Sequence, residues 1–196
     1  IYFAQQELRQ AAEWYDRALK VAPSSADVRI ARGHFLFATG TPEEGRKEFQ
    51  KAVELSPDQE QVRLVLADRY VVLGRRDEAE HELAGLIADM NSHKARKALA
   101  ELKLTAGQVA ETKPLVNAIL EAEERDPVGI YLKGRIALAE NDVPQAVGLF
   151  EEAIGKNAAL SGPHLYLGLA RLAQGRADSA QEALREAIRL QPDNEA

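Results

Sequence analysis

The side chains that could do chemistry are few and far apart. Histidine occurs at His34, His81, His93 and His164. No two of them bracket an acid at the spacing that lets one helix face hold zinc, and there is no cysteine to complete a thiolate site. No metal centre is expected. Ser56, Asp58, Ser92, Asp126 and Ser161 are nucleophiles or acids by type, but each sits near the start of a helical pattern. The expectation for them is helix capping, in which the side-chain oxygen accepts from a free backbone N–H. Neither a P-loop nor a dinucleotide fingerprint is present, so the glycines cradle no phosphate and no cofactor is expected. No catalytic set emerges.

Composition narrows the remaining classes. Of 196 residues, 45% are hydrophobic and 29% charged, as in a folded soluble chain. The net charge of −6, with basic and acidic residues interspersed, argues against a nucleic-acid binder, which needs clustered Lys and Arg. No run of about 18 apolar residues exists to span a bilayer. The absence of cysteine leaves cytoplasmic and periplasmic settings equally open. The first residue is Ile1, from which we expect a piece of a longer protein.

The elements that must position any site are given by an internal repeat. Gly40, Gly74, Gly107, Asn141 and Gly175 follow one another at intervals of 34, 33, 34 and 34 residues. Five residues beyond each lies a small residue: Gly45, Ala79, Thr112, Ala146 or Ala180. Four further on stands a large apolar one: Phe49, Leu83, Val116, Phe150 or Leu184. Each unit reads as two helices, with apolar residues at helical spacing and no strand alternation. The first helix should stop at the turn Gly, which readily takes the left-handed conformation. The second should start at a cap, as in Thr41-Pro42-Glu43-Glu44, where Thr41 and Glu44 could form a capping box, and end near Pro23, Pro57 or Pro192. Gly33, Ala67, Ala100, Gly134 and Gly168 recur midway along the first helix. A helix-interior Gly costs ~1 kcal/mol relative to Ala, so its recurrence implies two backbones in close approach.

This order of small residue, turn Gly, small residue, large apolar residue, small residue and Pro within 34 residues resembles the tetratricopeptide repeat. The resemblance covers the whole chain: a partial unit at 1–25, then units at 26–59, 60–92, 93–126, 127–160 and 161–194. It implies an all-α, right-handed α-α superhelix, or solenoid, of antiparallel helix pairs, treated as one array over 1–196. The middle units depart from the pattern. Leu86 and Ile119 replace the small Ala52, Ala153 and Ala187, and Pro114 falls too deep in its helix for a first-turn proline. A late start or kink there, and altered twist around residues 86–120, are expected. In the partial unit Tyr15 should be the packing aromatic, and Trp14 should cover a missing neighbour. The last helix offers Ala183, Leu184, Ala187, Ile188 and Leu190 with no solvating helix after it, which points to further repeats or to self-association.

The resemblance also implies function: a protein-interaction scaffold whose first helices line a concave groove that takes a peptide or amphipathic helix. Carried over unit by unit, that face is Ile30, His34 and Phe37; Leu64, Asp68 and Val71; Lys97, Glu101 and Leu104; Tyr131, Arg135 and Leu138; and Leu165, Leu169 and Leu172. Its apolar row could equally be core between helices, and Lys97 could simply pair with Glu101 one turn away. The Lys/Asn/Arg clamp that grips a partner's C-terminal carboxylate in this family is not matched, since Leu64, Asp68, Lys97 and Glu101 stand in its places. We expect apolar anchoring, with Asp68 and Arg135 setting orientation. The alternative is a regulatory or substrate-docking region of a larger enzyme, such as a glycosyltransferase or peptidase, with its catalytic part elsewhere. The style of composition is similar to that of bacterial assembly proteins.

Overall fold

A computed structural model describes residues 2–191, with side chains from residue 6 onward. Every regular element among them is helical: α1 (Tyr2–Val21), α2 (Ala26–Ala38), α3 (Pro42–Leu55), α4 (Glu60–Val72), α5 (Arg76–Met90), α6 (His93–Thr105), α7 (Val109–Ala122), α8 (Pro127–Ala139), α9 (Val143–Lys156), α10 (Ser161–Ala173) and α11 (Ala177–Leu190). The expected all-α helical-repeat fold is therefore found. The chain forms two compact units, Ile1–Ala95 and Arg96–Ala196, divided within α6.

One turn builds all five helix pairs. Gly40, Gly74, Gly107 and Gly175 have φ between +70° and +85°, and Asn141 takes the same left-handed region at +65°. The residue after each donates its N–H back to the preceding helix: Thr41 to Leu36, Arg75 to Tyr70, Gln108 to Lys103, Asp142 to Ala137 and Arg176 to Arg171, every time at 2.9 Å. This bond satisfies a carbonyl that the helix end leaves free. Close approach follows where the sequence placed its small residues. A Cβ added at Gly168 would lie 2.6 Å from Leu184 Cγ, and one at Gly33 2.9 Å from the Phe49 ring. Phe49, Phe150, Ala52, Ala146, Ala153 and Ala180 are all fully buried.

Several local expectations are corrected. Ser92 and Asp126 do cap, accepting from Ala95 N at 2.9 Å and Gly129 N at 2.8 Å. Ser56 instead closes the C-terminus of α3, Asp58 lies in the turn before α4, and Ser161 is already the first residue of α10. Thr41 occupies the N-cap position without a side-chain cap, because its hydroxyl donates to Leu36 O at 3.1 Å. Helix α7 does not start late. It runs from Val109 through Pro114, its sixth residue, and both Pro114 and Ala110 lie on the solvent side, where water can take the unbonded carbonyl. Leu86 and Ile119 are buried in place of the expected small residues. Tyr15 packs on Phe35 as expected, with ring centroids 5.3 Å apart. Trp14 is instead 66% exposed, with the Arg17 guanidinium 5.2 Å above its ring. Pro192 lies outside the described residues.

Candidate protein-interaction site

The positions carried over in the first unit come from α2 and α4. Ile30, Phe37 and Leu64 are half-buried, and His34 is exposed with its ring edge-on to Phe49, 5.0 Å between centroids. Arg69 lies 5.1 Å over the Phe37 ring and also pairs with the exposed Asp68. Val71, on the last turn of α4, is 44% exposed. The face of this unit is thus a mixed surface: one aromatic covered by a guanidinium, one aliphatic and one carboxylate.

In the second unit the positions come from α6, α8 and α10, and they divide into core and surface. Leu104 is buried, and Leu138 packs partly buried against the same core. Leu165, Leu169 and Leu172 are 42%, 44% and 48% exposed. Their spacing of four and then three residues puts them in one stripe along α10. The apolar row is therefore core at Leu104 and Leu138 and exposed at Val71 and Leu172.

The charged members find partners on neighbouring helices. Lys97 reaches Asp126, whose second oxygen caps α8, and Glu101 takes the Arg135 guanidinium. Arg135 is buried at 7% exposure, 4.4 Å from the Tyr166 ring centroid and 5.8 Å from that of Tyr131. Burial is the largest single influence and works against its charge, but Glu101 together with the Tyr131 and Tyr166 hydroxyls outweighs it and holds the guanidinium above its ordinary pKa. Burial likewise pushes the Tyr131 hydroxyl well above the phenol range, and the nearby Glu101 charge adds to the shift. Arg135 is consequently an internal strut, and the Glu101 carboxylate, 44% exposed, is the charged group of this cluster that meets solvent.

Beside the cluster opens a cavity of about 810 Å³, walled chiefly by Glu101, Tyr131, Leu165, Tyr166, Leu184 and Ile188. Sequence reasoning named Tyr131, Leu165 and Glu101 but missed Tyr166. The available signal was its place one residue beyond Leu165, since Leu132, the matching residue of α8, is fully buried. Among the described residues no cluster of His, Asp and Glu could hold a metal, and no helix is long and apolar enough to cross a membrane.

Models of the tetratricopeptide repeat match residues 1–60 and 131–195, and another matches residues 36–93. The chain belongs to the tetratricopeptide repeat family. Residues 94–130 fall outside these matches, and they include the unit in which Ile119 and Pro114 break the pattern. Repeats of this family mediate protein–protein interactions. Among curated relatives, the human protein O-mannosyl-transferase TMTC1 is 25% identical over 199 residues and its mouse counterpart 27% over 202, each across 99% of this chain. The chain spans only about a fifth of their length, 22% and 21%. Solved structures share the tetratricopeptide fold. PilW, a type IV pilus biogenesis factor, aligns over 99% of this chain and 90% of its own with a TM-score of 0.70 at 18% identity. YrrB, described as having an unusual peptide-binding site, aligns over 92% and 93% with a TM-score of 0.56 at 20% identity.

Proposed function

We propose that this chain is a scaffold that binds a peptide or helical segment of another protein, anchored on the leucine stripe of α10. The observation that carries the reading is the stripe itself. Three leucines on one face, each more than two-fifths exposed, leave apolar surface that water hydrates at a cost and that a partner's apolar side chains would cover. The Glu101 carboxylate, which shares a cavity wall with Tyr131 and Leu165, supplies an orienting charge. Arg135 contributes indirectly by fixing Glu101. A photo-crosslinking residue at position 169 tests this: adducts to one defined segment of a partner are expected, and labelling from an exposed α9 position but not from 169 would refute it.

A second reading is favoured by the relatives. Both are named transferases, and this chain matches about a fifth of each. On that reading the repeats are the substrate- or regulator-docking part of a larger enzyme, and the same stripe does the docking. Nothing in the geometry assigns catalysis to the repeats.

A further inference from the structure

The fourth residue of each first helix and the seventh of the second helix after it form a recurring pair of positions. In the first unit this pair is ionic twice. Arg29 of α2 donates through Nη1 to Glu48 of α3 at 2.9 Å, and Arg63 of α4 donates through Nε to Glu82 of α5 at 3.4 Å. Arg63 also reaches Asp89 at 2.8 Å. Its guanidinium lies so close over α5 that a Cβ on Gly85 would stand 2.6 Å from Nη2. In α6 and α7 the two positions hold Arg96 and Leu115, and in α8 and α9 Ile130 and Leu149, so both are large there without an ion pair between them.

In α10 and α11 the same positions hold His164 and Ala183, the smallest pair of the five. A cavity of about 430 Å³ opens beside them, with Ile154 of α9, Leu167 of α10 and Ala183 of α11 as its apolar lining. Glu151, Glu182 and Glu186 stand around it, against the single Arg171 guanidinium. Glu151 takes Arg171 at 2.8 Å, and Glu186 takes Arg189 through both oxygens. Glu182 is exposed and pairs with no cation among the described residues. His164 is nine-tenths buried, with Nε2 3.1 Å from Ala158 O. A carbonyl only accepts, so Nε2 carries the proton, and the neutral ring keeps an acceptor at Nδ1 that no donor meets among the described residues.

We propose that this cavity takes the arginine side chain of a basic segment in another protein. The surplus of carboxylates selects a cation. A planar guanidinium can meet carboxylates in two directions at once, as Arg63 meets Glu82 and Asp89 in the first unit. Its methylene stem would cover Ile154, Leu167 and Ala183. The guest thus supplies from outside what Arg29 and Arg63 supply from within the chain. Every wall belongs to α9, α10 or α11. Helical spacing puts His164, Leu167 and Arg171 on the other side of α10 from Leu165, Leu169 and Leu172, so the site stands or falls independently of the leucine stripe.

The test is an NMR titration with N-acetyl-arginine amide, following the His164 ring and the amides of α9 to α11. Saturable shifts confined to this cavity are expected, in about the millimolar range for so small a ligand. The neutral isostere N-acetyl-citrulline amide should bind about fivefold more weakly. Glu182→Gln should weaken arginine binding about threefold with unchanged circular dichroism, because the residue is exposed. His164→Arg combined with Ala183→Glu rebuilds the pair seen at Arg29 and Glu48, and should abolish binding by filling the space from within. If that double variant does not fold, the citrulline and Glu182→Gln comparisons still decide. No saturation in the millimolar range, equal binding of the citrulline compound, or full affinity in Glu182→Gln would overturn the proposal. Equal binding of N-acetyl-lysine amide would overturn the choice of a guanidinium.

Discussion

Gly134 and Phe150 face each other so closely that a Cβ on the glycine would lie 2.7 Å from Phe150 Cε1. Phe150 is itself fully buried, so its ring has nowhere to yield. This contact sets how near α8 and α9 come, and therefore where Tyr131, Arg135 and Leu138 project from α8.

Gly134→Ala should accordingly destabilise the second unit by about 1–3 kcal/mol, the usual cost of overpacking a filled core. Gly148 lies in α9 with nothing within 4 Å of its Cβ position. Gly148→Ala should instead stabilise by up to ~1 kcal/mol through helix propensity. Denaturant melts of both variants check the pair. Equal effects would mean that the mid-helix glycine serves no packing purpose.

Pro114 stands sixth in α7, beyond the first turn where a missing N–H costs nothing. Pro114→Ala should restore the bond to Ala110 O and raise stability by about 1–2 kcal/mol, less than the full interior penalty because the site is exposed. Hydrogen exchange of the α7 amides should slow in the variant. Unchanged stability and exchange would show that α7 gains nothing from the restored bond.

Tyr131 should stay protonated in the folded chain at a pH where an exposed tyrosine ionises. Its pKa is raised, so its contribution to stability is complete below the unfolded value of ~10 and declines as pH rises above that. In an alkaline titration followed by phenolate absorbance, one of the five tyrosines should ionise late or only with unfolding. Tyr131→Phe should remove that step. If instead it removes a step near pH 10, the Tyr131–Arg135–Glu101 cluster is open to water.

The fold was legible in the sequence because its determinants are local and periodic. A left-handed turn needs Gly or Asn at one position, and helices in contact need a small residue at another, so Gly40 and Gly168 announce themselves. The charged pairs were not legible. Lys97 and Glu101 offer each other a partner one turn away, yet each is drawn to a helix further along, to Asp126 and Arg135. Glu101 and Arg135 are both ninth in their helices, 34 residues apart, and stacking brings such positions side by side. Capping failed in the same way at Thr41, where the tight turn offers its hydroxyl the Leu36 carbonyl as a nearer partner. Which apolar residues are exposed depends on the neighbouring helix, so Leu104 and Leu172 look alike in sequence and differ in the structure.

The most direct test of the account is the affinity of a crosslink-identified partner segment for the wild-type chain and for Leu169→Glu and Leu172→Glu, with helicity and melting followed in parallel. Both leucines are nearly half exposed, so the fold should be preserved while binding falls by at least tenfold in each variant. Full affinity with an intact fold would contradict the claim that α10 presents the binding surface.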